Sequence, residues 1–290
     1  KKVVIADRLA IFVNQAYAYP EDLTTLTTVT AIVFFVFQLY CDFSGYCDMA
    51  IGMAKLLGFE LSENFRRPLL AGNIRSVYQR WHITIHNWFK EYVYFALPAH
   101  KNNLHRGVKV LFVFSLAGLW HGSGFNFLLW GVMNGVLIFS LDPLIDAASR
   151  TQSRVLGIVT RGIGHAAVYL SLVFFRSETL QEAGVVIRSL SKWNEMNSLA
   201  LSEHFLQFGL GIVELSVALT LIAIVLLVEC IQEYSPAAHR RFHQGHGLFR
   251  WSSALVLSLG IVLLGFYDGR EGAGNAKDDL AQDEFIYEQF

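Results

Sequence analysis

Six apolar runs set the terms for this chain: residues 23–40, 108–120, 125–141, 163–175, 208–230 and 251–267. A helix crossing a bilayer needs roughly 20 mostly apolar residues, and lipid satisfies no open strand backbone. The runs therefore read as membrane-spanning helices, the shorter ones completed by tilt or by their flanks. Composition agrees with this. Of the 290 residues only 16% are charged and 53% are hydrophobic, where an average globular domain carries about 25% charge. Mean hydropathy is +0.40. The expected fold is all-α and polytopic, one membrane domain over residues 1–290 with a tail at 268–290. A formal net charge of -1, with basic residues scattered among loops, gives no footprint for nucleic acid. Cys41, Cys47 and Cys230 make no CxxC pair and read as small buried hydrophobes.

The opening "KKVVIADRLAIFVNQAYAYP" is no signal peptide, because Asp7 and Arg8 interrupt its apolar part and no small-residue cleavage site follows. It reads as the interior of a longer protein whose N-terminal portion is missing. Residues 46–59 are apolar but punctuated by glycine, which predicts a short buried or re-entrant helix. Residues 76–97 mix Arg80, His82, His86 and Lys90 with many aromatics, which predicts an interfacial helix partly lining a polar cavity. Arginines concentrate in residues 60–80, 142–162 and 231–250, and the positive-inside rule turns these three segments to the cytoplasm. The tail 268–290 then lies outside.

Three constellations carry chemistry. In "GLWHGSGFNFLLWGVMNG", His121 sits in an apolar run among Gly118, Gly122, Ser123 and Gly124, with Trp120 and Trp130 placed to wall a pocket. An ionisable residue inside a membrane marks a functional site by default. The plainer reading is a helix-end histidine donating to a carbonyl. In "RWHITIHNWFKEY", His82 and His86 stand four apart and would share a helix face. Ile83 rules out the HExxH zinc pattern, so no metal is expected. His82 reads as a second polar residue of an active site, against an aromatic belt with satisfied histidines. In "QLYCDFSGYCDMAIGMAKLLGFELSENFRRP", Asp42 and Asp48 need internal partners or a surface, and Asp42 is placed to cap a following helix. Arg66 and Arg67 could hold a phosphate or the acidic face of a carrier, or serve as ordinary cytoplasmic anchors. Trp120 stands beside His121 as a wall for a bound ligand.

Taken in order, "YCDFSGYCDMAIGMAKLLGFELSENFRRP", "RWHITIHNWFKEYVY" and "GLWHGSGFNFLLWGVMNG" resemble the membrane-bound O-acyltransferase family, in its alginate O-acetylation branch. "SLVFFRSETLQEAGVVIRSL" and the closing "FIYEQF" resemble later landmarks of that branch. The resemblance implies a ring of transmembrane and re-entrant helices, N-terminal members missing, with funnels on both faces meeting at a histidine. It implies a multi-pass protein of the bacterial inner membrane that passes an acyl group from a cytoplasmic thioester, acetyl-CoA, to an exported polysaccharide. An extracytoplasmic SGNH-type acyltransferase is the implied partner. His121 matches the family's catalytic histidine and His82 its second motif histidine. Tyr287 matches a residue of a C-terminal acyl shuttle, against the plainer reading of the tail's aromatics as an interfacial anchor. Two departures stand out: Glu288 follows Tyr287, and Thr84 stands where the branch has serine. D-alanyl transfer to teichoic acid from a carrier protein, and a proton-relay transporter built on buried histidines, are the alternatives.

Overall fold

A computed structural model describes residues 1–99, 102–151, 153–193, 205–235, 237 and 247–265, and every regular element among them is helical. A π-helical turn, Lys2–Ala6, runs into α1 (Asp7–Ala18). Thr24 then caps α2 (Thr25–Leu56), its hydroxyl taking the Thr27 amide while Thr27 returns the bond. That reciprocal cap satisfies two donors no helix can satisfy internally. At 1.5 Å per residue, the 32 residues of α2 span about 48 Å, well beyond a hydrocarbon core of about 30 Å.

This corrects one expectation. Residues 46–59 are no separate re-entrant helix, because α2 continues through Gly45 and Gly52 as far as Leu56. Gly45 is there for close approach: a Cβ would lie 3.2 Å from the Lys1 Cβ and the Lys2 amide. The N-terminal turn thus lies against α2. Lys2 Nζ reaches Asp42 at 2.5 Å, and Lys1 Nζ reaches Asp48 at 2.9 Å. Asp42 is a buried partner in mid-helix and caps nothing.

After α2 the chain runs without regular structure to a short 3₁₀ turn, Pro68–Leu70, then forms α3 (Ile74–Arg80) and α4 (Ile83–Trp88), which passes into a π-helical segment, Phe89–Tyr94. The expected single helix over 76–97 is therefore broken at Trp81 and His82. Next come α5 (Asn103–His121) and α6 (Phe125–Ser140), an antiparallel pair. A Cβ on Gly118 would fall 2.3 Å from the Phe127 carbonyl oxygen, and one on Gly131 would fall 2.2 Å from that of Phe114. Only glycine lets these backbones touch.

Beyond α6 lie α7 (Asp142–Ser149), α8 (Arg154–Arg176), α9 (Leu180–Ser189), α10 (Ile212–Tyr234) and α11 (Gly247–Leu264). Among the described residues, four stretches are long and apolar enough to cross a membrane: Thr25–Leu56, Phe125–Ala148, Arg154–Arg176 and Ile212–Tyr234. Leu219, Ile224 and Leu227 on α10, and Leu255, Val256 and Leu257 on α11, are exposed. On a water-soluble protein that surface would be a liability; on membrane helices it suits lipid or a neighbouring helix. The protein is an all-α, polytopic integral membrane protein.

The basic segments meet on one side. Asn73 donates to Asp146, Arg75 pairs with Asp142, and Arg67 and Arg80 both pair with Glu233 near the end of α10. The opposite side holds the start of α2, where the Thr25 hydroxyl donates to the Leu190 carbonyl, and the α8–α9 junction. Arg240, Arg241 and the tail 268–290, with Tyr287 and Glu288, lie outside the described residues.

Candidate active site

The break between α3 and α4 is a braced turn. His82 adopts φ 45° and ψ 54°, left-handed backbone that a β-carbon disfavours. Asn64 holds it there. Its backbone carbonyl accepts the Ile83 amide at 2.9 Å, and its side-chain oxygen accepts the Thr84 amide at 3.1 Å and the Thr84 hydroxyl at 2.9 Å. His82 Nδ1 lies 3.3 Å from the same oxygen. An amide oxygen only accepts, so the contact selects the tautomer with the proton on Nδ1 and the basic lone pair on Nε2. Thr84 thus keeps the hydroxyl that serine would supply. The turn lies outside the spanning helices, and burial pushes the His82 imidazole down to about 4, leaving it neutral at physiological pH.

His121 is the last residue of α5, where the helix stops at the extended Gly122. It is buried among rings, with centroids 4.8 Å from Trp120, 5.3 Å from Trp130 and 5.1 Å from Phe175. Trp120 joins the two motif histidines, since its ring also lies 6.2 Å from that of His82. It is half exposed and sits beside the cavity described next, outside its lining.

His82, His86, His121 and His165 line one cavity of about 60 Å³, walled by residues such as Leu39, Ala117, Trp130 and Phe175. No carboxylate, lysine or arginine lines it. A second, larger cavity of about 600 Å³ is bordered by Arg75, Lys90 and Arg106, again with no carboxylate. The two share Tyr78, His86, Phe89 and Phe114 as common walls. Arg75 and Arg106 put the larger cavity on the side where the basic segments meet. Among the described residues no cluster of His, Cys, Asp or Glu has the makings of a metal site.

The sequence-derived residues are therefore distributed unevenly. His121 and His82 come together in one cavity. His86 joins them, because the break at His82 turns α4 inward. Arg66 pairs with Glu63 and Arg67 with Glu233, and neither lines either cavity. Tyr287 lies outside the described residues. Sequence reasoning passed over Asn64, His165 and Asn134. The last is fully buried and takes the Tyr78 hydroxyl while donating to Ser171, which ties α3, α6 and α8 behind the cavity. His165 sits in an apolar run as His121 does, so the same rule that singled out His121 would have found it.

The model of MBOAT, the membrane-bound O-acyltransferase family, matches residues 1–185. The chain belongs to this family. Over 209 residues it is 33% identical to the peptidoglycan O-acetyltransferase of Helicobacter pylori, covering 72% of this chain and 40% of that one. It is 35% identical over 185 residues to a Pseudomonas aeruginosa protein named "Probable alginate O-acetylase AlgI", covering 63% and 35%. Against the teichoic acid D-alanyltransferase of Bacillus subtilis it is 31% identical over 108 residues, covering 34% and 27%. The chain thus spans about two fifths of the length of the first of these relatives, and α10 and α11 lie beyond the family match.

Proposed function

We propose that the chain carries the catalytic centre of an O-acyltransferase of the bacterial inner membrane, moving acetyl from cytoplasmic acetyl-CoA towards an exported or cell-envelope polysaccharide. The observation that supports this best is the pair of adjacent cavities that share one wall. The larger offers Lys90 and Arg106 to the phosphates of the donor. This role moves there from Arg66 and Arg67, whose charges are already matched. The smaller takes the thioester end. Its neutral, carboxylate-free wall suits an uncharged acetyl group; the α-ammonium of a D-alanyl group would be buried there without a counter-charge. The resemblance to a D-alanyltransferase keeps that reading as the alternative.

In this reading the acceptor hydroxyl attacks the thioester carbonyl carbon while His121 takes its proton. The tetrahedral centre collapses, the C–S bond breaks, and the imidazolium returns the proton to the departing thiolate, giving ester and free thiol. Trp130, in the cavity wall, helps keep out water that would hydrolyse the thioester. Tyr287 would accept the acyl group and relay it to an external SGNH-type acyltransferase.

Release of free CoA by the full-length protein in proteoliposomes, with the external partner added, tests the reading. His121→Ala should lower the rate by about 100- to 10,000-fold at unchanged membrane level. Tyr287→Phe should stop polymer acetylation while partner binding persists. Near-normal acetylation in the His121→Ala variant would return that residue to a structural role, and normal acetylation by Tyr287→Phe would end the relay. Transfer of D-alanine and not acetate would select the alternative.

A further inference from the structure

Two polar atoms of residues in the wall of the histidine cavity are buried with no hydrogen-bond partner among the described residues: Nε1 of Trp130 and Nδ1 of His165. The His165 ring is otherwise anchored, because Nε2 lies 3.0 Å from the Ala71 carbonyl oxygen and donates to it. Its Nδ1 is then an acceptor. Trp130 differs, since an indole N–H can only donate. A buried donor without an acceptor opposes folding, and native structures rarely keep one without use.

Packing does not require this N–H. Trp130 is 7% exposed on α6, and its ring meets His121 at 5.3 Å, nearly perpendicular, and Phe175 at 5.1 Å. Both contacts are ring against ring. The lining supplies no lysine or arginine to balance an oxyanion, and the proton on His82 Nδ1 is directed at Asn64. Among the lining's N–H and O–H groups, the Trp130 indole is a buried donor with no partner among the described residues, and so is free to face the charge that develops on a thioester oxygen.

We propose that Trp130 is a catalytic residue of the acyl transfer, its Nε1–H donating to the thioester carbonyl oxygen as that oxygen becomes an anion. This rests on the O-acyltransferase reading above. As the acceptor oxygen bonds to the carbonyl carbon, the C=O π pair moves onto oxygen and the indole hydrogen bond strengthens. As the C–S bond breaks, the pair returns, the ester forms, and the thiolate leaves with the proton held by His121. In a cavity walled mainly by apolar side chains, a fixed dipole beside the developing charge acts with little screening and no reorganisation.

The test replaces Trp130 in the full-length protein with 3-benzothienylalanine, a near-isosteric ring with sulfur in place of N–H, and in parallel makes Trp130→Phe. Loss of one oxyanion donor predicts a kcat lower by about 100- to 1,000-fold in both, with KM for acetyl-CoA essentially unchanged and normal membrane level. Wild-type kcat with benzothienylalanine overturns the proposal, and a defect confined to Trp130→Phe, or one confined to KM, assigns Trp130 to packing. Wild-type protein releasing no more CoA than His121→Ala overturns the O-acyltransferase reading itself, and the proposal with it.

Discussion

His82 holds a backbone conformation that costs a non-glycine residue on the order of 1–3 kcal/mol, and such strain persists only where the surroundings over-determine it. Here the surroundings are largely one side chain. The Asn64 oxygen takes both the amide and the hydroxyl of Thr84 and faces His82 Nδ1, while the Asn64 amide reaches Cys47 Sγ on α2 at 3.5 Å. Asn64→Ala should therefore release the turn. The expected result is a kcat lower by roughly 10- to 100-fold, the penalty of a small misplacement of a catalytic group, with KM and membrane level near wild type. Asn64→Asp, which keeps an acceptor oxygen, should recover part of the loss. Equal activity of Asn64→Ala and wild type would show that His82 needs no brace. "SENFRRP" announces this asparagine poorly, because its partners lie about 20 residues away across a break no periodicity reveals.

At the scale of elements, α10 grips the same segment from the other side. Glu233 accepts from Arg67 Nε at 2.6 Å and Arg80 Nη1 at 3.0 Å, and the Arg66 amide donates to the Arg80 carbonyl at 2.8 Å. One turn earlier the buried Glu229 takes the Tyr40 hydroxyl of α2. A helix beyond the family match thus pins both α2 and the strand of chain leading into His82. Removing either arginine alone and together with Glu233→Gln should give non-additive effects, a coupling of about 0.5–3 kcal/mol in thermal or denaturant unfolding in detergent. Additive losses would mean that Glu233 is a bystander. The hydropathy of α10 was plain from the sequence; the use of its last two turns as an acidic clamp was not, since both arginines are more than 150 residues away.

Across the whole molecule, the function proposed above requires a cytoplasmic donor and an external acceptor to meet without opening a leak. The cavity bordered by Arg75, Lys90 and Arg106 opens on the basic side, and the histidine cavity lies beyond a wall of Tyr78, His86, Phe89 and Phe114. Arg75 is already paired with Asp142, so Lys90 and Arg106 are the informative targets. Reversing both charges, Lys90→Glu with Arg106→Glu, should raise KM for acetyl-CoA by about 10- to 100-fold, since each 1.4 kcal/mol of lost binding is tenfold. The kcat should change little. A selective fall in kcat, or no change, would place donor entry elsewhere. His86 is the residue whose meaning this scale changes most. Sequence spacing set it one helical turn past His82, in a segment read as interfacial; its place in both linings makes it part of the wall between the two cavities.

The sequence by itself determined that this chain is helical and lives in a membrane, because the cost of bare backbone in hydrocarbon leaves a run of apolar residues little choice. It also singled out His121 and His82 as candidates, because a polar ring in an apolar run needs a compensating reason and both lie in local motifs; the structure brings the two to one cavity. What only the tertiary structure decided is what each side chain meets. Arg66 and Arg67 proved to be neutralised by Glu63 and Glu233, Asp42 to be a buried partner of Lys2, and residues 46–56 to be one helix with the span before them. Hydropathy is a property of a stretch and can be read along the chain, whereas ion pairing, tautomer and cavity shape depend on neighbours that folding brings from far away.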